Sequence, residues 1–569
     1  MKTLLIVGVA GATLAGGTTA AAETLYVTPQ GSGTTCSRAA PCDLVGARDT
    51  ARRLILTMRQ DLIVSLAPGI YRLDDTFVLT PADSGANGFS VIYRSQIPHA
   101  AHLSGGQAIG GWQPAGGGIF QARTPAGLRF RQFYIGDVRE VRARTPNGKP
   151  ATDLAWNRGD MTVSFGQSLG QVANLRGVEL VATRHWQQHR LHIIAAKPGP
   201  DGRQIVTLDP KEAQVSFHAP GDTIGDHQPY YLENARAFLD RPGEWFHDTD
   251  ADTLFYMPRP GERLDHAIVP AVQTLVRLQG QTANPVHHIA FQGVTFEYAG
   301  WNGPTDHGFI QVQATWLATP DGPAYMPAAV EIRGVGANHI RFSDDIVRHF
   351  GADGLDFYKG SADNVVTGNL VTDGSGQGIA IDADPGGGTG SINIVVTGNR
   401  VDHVGIDYTG SVGIMAGYVN GARIEHNAVS DLPYSGISVG WGWTSAANPS
   451  GNNIIRANDV HDVMQQHDDG AAIYLLSRQP GTIVSENYIH GVHRAASAGD
   501  YAVAGIYLDN GASGITVRDN VIENVTTRIN VNRDDRPAGG GVPARDNVIV
   551  DSTAANPTAV EKAGPLRRE

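Results

Sequence analysis

The sequence predicts an all-β fold, a right-handed parallel β-helix in which strands stack coil on coil, with an inserted β-rich subdomain. Three observations carry this. The 569 residues include 70 glycines and only 7% aromatic residues, a turn-rich balance without the triplet glycine period of collagen. Asparagines recur at Asn369, Asn399, Asn427, Asn458, Asn487, Asn520 and Asn547, spaced by 30, 28, 31, 29, 33 and 27 residues. Apolar residues frame them, three positions before (Val366, Val396, Ile424, Ile455, Val484, Val517, Ala544) and two after (Val371, Val401, Val429, Val460, Ile489, Ile522, Ile549).

A strand, an asparagine bend and a second strand form one unit of such a coil. Asparagine tolerates the left-handed geometry of a sharp bend. Stacked Asn side chains can also hydrogen-bond from coil to coil. One coil cannot bury its own apolar face, so repetition builds the core. A third strand follows each bend: "GIAID", "GIMAG", "GISVG", "AIYLL" and "GIYLD". Alternation turns Ile506 and Leu508 inward and Tyr474, Tyr507 and Asp509 outward.

The remaining segments fall in order around this repeat. Residues 1–22 combine one lysine, an apolar run and a small-residue end, which reads as a secretory signal peptide. No later apolar run is long enough for a membrane span. Residues 23–100 open the helix, with "DLIVSLAPGIYRLDDTFVL" as a first coil. "LVGARDTARRLILTMRQ" is the only helical pattern of note. Residues 101–285 break the period with short alternating strands between Gly, Pro and Asp turns, the inserted subdomain. Residues 286–555 form the main β-helix, and 556–569 a flexible tail. Cys36 and Cys42 are the only cysteines, and in an exported chain they pair as one local disulfide.

Charge excludes some partners. A net charge of −12 with six lysines argues against nucleic acid and anionic membranes. It also weighs against an acidic polysaccharide unless a local arginine patch overrides the average. Nothing in the sequence speaks to oligomeric state.

The candidate chemistry sits in "QQHDDGAAIYLLSRQPGT" (465–482) and its echo one coil on, "AGIYLDNGASG" (504–514). With "LSGGQAIGGWQP", "RQFYIGDVREVRARTPN", "FLDRPGEWFHD", "LFYMPRPGE" and "FEYAGWNGP", these stretches resemble exported β-helical glycoside hydrolases, most of all glycoside hydrolase family 141. That resemblance implies α-L-fucosidase or xylanase activity on plant cell-wall glycans, without a cofactor or metal, through paired aspartates. Asp468 or Asp469 and Asp509 match such a pair.

Glycosidases need two carboxylates, one to protonate the leaving oxygen and one to attack carbon or activate water. Acids on neighbouring rungs, about 4.8 Å apart, satisfy this only if they share a lateral position. Asp509 ends its strand whereas Asp468 and Asp469 precede theirs, so "HDDG" must curl back over the groove. Asp500 is a rival partner. The alternative for each acid is a turn cap, since Asp-Gly and Asn-Gly are strong turn signals.

Tyr474 and Tyr507 offer a sugar-stacking platform, or else a surface covered by a loop. Glu331, Asp356 and Asp382 could bind hydroxyls. Trp301 and the "GWGW" pair Trp441 and Trp443 could line subsites or merely anchor loops, and His467 could orient an acid. The column Asp402, His461, His490 and Glu523 reads as a solvated face.

Two rival functions stay open. A polysaccharide lyase would need a basic residue, for which Lys359 and Arg478 are the candidates. A non-catalytic glycan-binding solenoid would bind without turnover. No Ser-His-Asp elbow, P-loop or dinucleotide fingerprint is present.

Overall fold

A computed structural model of the chain describes residues 23–566 apart from 170, 171, 173, 219–224, 334, 384–388, 534–541 and 551–556. The expected signal peptide, 1–22, lies outside the described residues. Three long parallel sheets run the length of the molecule, as the repeat predicted. The first has twelve strands, from Glu23–Val27 to Val548–Ile549, and the second and third have ten each. Each coil visits them in order, and the asparagine bend joins the first sheet to the second. The first full coil is Leu62–Leu66, Gly69–Arg72 and Phe77–Leu79.

Inward residues align rung on rung. In the first sheet Val64, Tyr93, Phe291, Phe342, Val366, Val396, Ile424, Ile455, Val484 and Val517 form one continuous column. Its aromatic members stack, Tyr93 on Phe291 at 5.1 Å and Phe291 on Phe342 at 5.3 Å. The third sheet repeats the pattern with Leu355, Ile379, Ile414, Ile437, Ile473, Ile506 and Ile529.

The bend asparagines are buried and linked. The side-chain oxygen of Asn427 accepts from both the backbone and side-chain N–H of Asn399, each at 3.0 Å, and Asn427 repeats the pattern with Asn458 at 3.0 Å. The same exchange runs from Asn369 to Asn520. A buried amide left without these partners would cost about 1–3 kcal/mol per unmet group, so the ladder fixes coil register. Asn547 does not belong to it. It precedes the strand Val548–Ile549 and accepts from Ile515 N at 3.0 Å, which places it at a different corner. Its spacing of 27 coincided with the period by chance.

The helix Leu44–Leu54 caps the N-terminal end, its first turn held by Asp43, which accepts from Gly46 N at 2.6 Å. The Cys36–Cys42 disulfide is formed beside it. At the other end Pro557–Lys562, expected within a flexible tail, is a short helix. Its Lys562 carbonyl lies 3.0 Å from His426 Nδ1.

The insertion leaves after Ala101–Ser104, still a strand of the second sheet, and the chain rejoins the third sheet at Val276–Gln279. Both boundaries therefore lie inside the expected 101–285. A second excursion, which the sequence reading missed, leaves at Phe309–Gln313 and pairs with the long insertion hairpin Glu179–Arg184/Gln187–Pro198. The insertion is held internally by buried charges. Arg131 and Arg142 reach Glu179 at 2.6 and 2.9 Å, and Arg190 pairs with Glu233. Burial alone would push the Glu179 carboxyl up, but the three arginines hold it well below the ordinary range.

Candidate active site

The outward column of the third sheet runs Arg277, Glu331, Asp356, Ala380, Met415, Ser438, Tyr474, Tyr507 and Asn530. Asp509 follows Leu508 at the strand end, where an Asp-Asn-Gly turn begins, and Gly511 adopts the left-handed φ of 74° that turn needs. Only 2% of Asp509 is exposed. One oxygen accepts from the Tyr474 hydroxyl at 2.5 Å, and the other from Asn532 Nδ2 at 2.7 Å. Burial pushes the Asp509 carboxyl above its ordinary range, and the Tyr474 and Asn532 donors offset this in part.

The two acids of "HDDG" separate cleanly. Asp469 is half-buried, with a left-handed φ of 55° that folds the chain back over the groove. Its carbonyl accepts from the Tyr434 hydroxyl at 2.8 Å, and its Oδ1 lies 3.4 Å from the Tyr507 hydroxyl. Burial and the charges of both Asp469 and Asp509 push the Tyr507 hydroxyl up, so both carboxyls face it. The lateral offset between the acids is thus closed by a backbone curl at Asp469 and a long side chain at Tyr507.

Asp468 points elsewhere and is fully buried, 0% exposed. Its Oδ1 meets His185 Nδ1 at 2.8 Å, and its Oδ2 accepts from Tyr501 N at 2.9 Å with Arg494 at 3.5 Å. Asp468 therefore anchors the tip of the insertion hairpin. The packing at this joint is close. A Cβ on Gly499 would stand 2.7 Å from His185 Cε1 and 2.8 Å from Asp468 Oδ2. Asp500 is exposed and stands with the same His185–Asp468 pair.

His467 does not orient an acid. Its Nε2 lies 2.8 Å from the Thr409 hydroxyl and its Nδ1 2.5 Å from the His185 carbonyl, and burial pushes it down to about 4. As a neutral ring it fastens the same hairpin tip.

Other expected site residues divide. Tyr474 faces outward but is 2% exposed, so it serves Asp509 as a donor and offers no stacking face. Tyr507 stands beside it, ring edge to ring face at 5.3 Å. Asp382 is a turn former, buried, accepting from Ser391 Oγ at 2.9 Å and Gly360 N at 3.2 Å. Trp441 is 1% exposed and lies under Trp443, their rings 4.6 Å apart, so only Trp443 retains an open edge. Trp301 packs edge-on to Tyr408 at 5.2 Å beneath the helix Gly303–His307. Glu331 and Asp356 share the outward face but lie at its N-terminal end. Lys359, one of the two lyase candidates, sits in the coil of Asp356, five rungs or about 24 Å from Tyr507.

Residues that the sequence reading missed complete the arrangement. Asn532 occupies the position of Asp509 one rung on, because Leu508 pairs with Val531. Aligning that last coil would have found it. Tyr434 comes from the coil before. His185 and Trp186 arrive from the insertion, where no repeat locates them. With Tyr501, which is 42% exposed, they form an aromatic rim: His185 lies 4.1 Å and Trp186 6.3 Å from the Tyr501 ring.

Residues 121–259 match the family model of the GH141 insertion domain. Across the chain, the structure is similar to a solved glycoside hydrolase at 28% identity and a TM-score of 0.83, covering 95% of this chain and 99% of that one. A structure of XylC in complex with xylose matches at 9% identity and a TM-score of 0.48 over 92% of this chain and 86% of that one, too distant to bear on substrate. No match was found among the curated proteins. The insertion-domain match and the likeness over the whole length identify the chain as a parallel β-helix glycoside hydrolase similar to family 141.

Proposed function

We propose that the protein is an exported hydrolase of a plant-type glycan, cleaving an α-L-fucosyl or xylosyl bond with Asp469 and Asp509. The observation that carries this is that Asp469 and Asp509 both face the Tyr507 hydroxyl, Asp469 Oδ1 at 3.4 Å. Two carboxyls gathered at one hydroxyl suit the separation of about 5–5.5 Å used by retaining glycosidases better than the wider spacing of an inverting pair.

Environment divides the roles. Asp509, buried and with its carboxyl raised, is the better suited of the two to carry the proton and acts as general acid on the leaving oxygen. Asp469, half-exposed, attacks the anomeric carbon to form a glycosyl ester. Asp509, now a carboxylate, then takes a proton from the water that opens the ester, giving net retention. Tyr474 and Asn532 position Asp509, and Tyr507 spans both acids.

The test is a screen of purified protein, with and without EDTA, on nitrophenyl glycosides, xylan, fucosylated pectin and polygalacturonate, beside Asp509→Asn. EDTA-insensitive release of reducing ends that vanishes in the folded variant supports the proposal and names the sugar. Accumulation of unsaturated uronate would replace it with a lyase. Binding without turnover would make the chain a glycan-binding solenoid.

A further inference from the structure

We propose that a pocket around Arg277, at the N-terminal end of the third sheet, binds the carboxylate of a uronosyl unit, a glycan site separate from the acid pair. It rests on the hydrolase reading only in taking a sugar as the bearer of that carboxylate. The pocket is a cavity of about 490 Å³ lined by Gln273, Arg277, Gln279, Trp301, Tyr325 and Glu331, among others. It lies on the outward face that also carries Tyr507. Glu331 is six rungs away, about 29 Å. One active site of ordinary size cannot include both.

The arginine is presented for recognition. Arg277 Nε donates to Glu331 Oε2 at 2.7 Å, while among the described residues its two terminal NH₂ groups make no hydrogen bond. Glu331 is itself buried, and its other oxygen accepts from Arg333 at 3.1 Å and from Ala328 N at 3.3 Å. Burial would push the Glu331 carboxyl up, but Arg333 and Arg277 keep it below the usual range, so the anchor stays ionised. Arg277 is thus held by its inner nitrogen with the outer fork free. A planar carboxylate meets such a fork with two parallel hydrogen bonds, which a neutral hydroxyl cannot do. Because the arginine is already fixed, little side-chain entropy is lost on binding.

Neighbouring charge assists. Arg333 adds a second guanidinium, 3.6 Å from Asp356. Burial pushes Asp356 up to about 6, so the four groups Arg277, Arg333, Glu331 and Asp356 become net positive as pH falls below that value. Gln273, Gln279 and Tyr325 supply polar groups for ring hydroxyls, and Trp301 closes one wall. This is a local exception to the −12 charge of the chain.

The test uses the full-length chain carrying Asp509→Asn, so that ligand is not consumed. Trigalacturonate and neutral galactotriose are titrated calorimetrically at low salt. Trigalacturonate is expected to bind and galactotriose not to. Adding Arg277→Gln should weaken trigalacturonate binding at least tenfold, and so should Arg277→Lys, which keeps the charge and loses the fork. Circular dichroism and melting temperature check that each variant folds. No binding by the parent, equal binding of the neutral trisaccharide, or unchanged affinity in the lysine variant would overturn the proposal. A wild-type chain inert on every glycan but still binding trigalacturonate through Arg277 would reject the catalytic reading and leave this site standing.

Discussion

Replacing Tyr474 with Phe removes one hydroxyl and keeps the ring, and it tests which acid carries the proton. That hydroxyl donates to Asp509 Oδ2 at 2.5 Å in a buried setting. A hydrogen bond to a charged group contributes about 1.5–3 kcal/mol, and one pKa unit corresponds to about 1.4 kcal/mol. A donor favours the ionised carboxyl, so its loss raises the Asp509 pKa further, by about 1–2 units on these figures. If Asp509 is the general acid, its deprotonation sets the alkaline limb of kcat/KM, and that limb moves to higher pH by the same amount. The assay is a pH profile of wild type and Tyr474→Phe on the sugar found by the screen. If Asp509 is instead the nucleophile, its ionisation sets the acidic limb. That limb would then move up while the alkaline one stays, and the assignment of roles would be refuted.

Three other substitutions carry predictions. Asp469→Ala should lower kcat by about 10³-fold or more with the fold intact, in the range expected for loss of a nucleophile or general base. Azide should restore turnover with formation of a glycosyl azide, whereas Asp468→Ala should act mainly on KM and melting temperature by freeing the insertion hairpin, without azide rescue. Asp353 is buried and accepts from Gln377 N at 2.8 Å and Thr315 Oγ1 at 2.9 Å, yet burial pushes it up to about 8. Its unfolded value is about 3.9, so the stability it contributes is full below that pH and is lost as pH rises towards 8. The melting-temperature advantage of Asp353→Asn over wild type should therefore grow from pH 5 to pH 8, and a constant difference would contradict this.

The fold was legible because its physics is periodic. A coil that must stack on its neighbour repeats its bend residue and its apolar frame, and both are visible by eye from Asn369 to Asn520. The reading failed at Asn547, where a corner residue with a different role fell near the expected interval. It failed again at Phe309–Gln313, whose pairing partner lies more than a hundred residues earlier in the insertion hairpin. A strand that pairs with an aperiodic insertion and with its own local hairpin neighbour leaves no mark in the repeat.

The site was half legible for the same reason. Position along a coil is encoded by alternation, so Tyr474, Tyr507 and Asp509 fell on the correct face. Orientation within a turn is not, and two adjacent aspartates in one loop are chemically identical on paper. What separates them is the partner each meets. Asp469 takes a left-handed backbone and faces Tyr507, while Asp468 is consumed by His185 and the Tyr501 amide. The distinguishing residue, His185, belongs to the insertion, 283 positions away from Asp468. The insertion therefore does more than decorate the helix. With His185 on one Asp468 oxygen and its carbonyl on the buried, neutral His467, the hairpin tip fixes the turn from which Asp469 reaches the groove. It also sets Trp186 and Tyr501 at the rim of that groove. On the proposed assignment, specificity for the sugar and placement of one acid would then depend on the same tip, and its substitution should change both together.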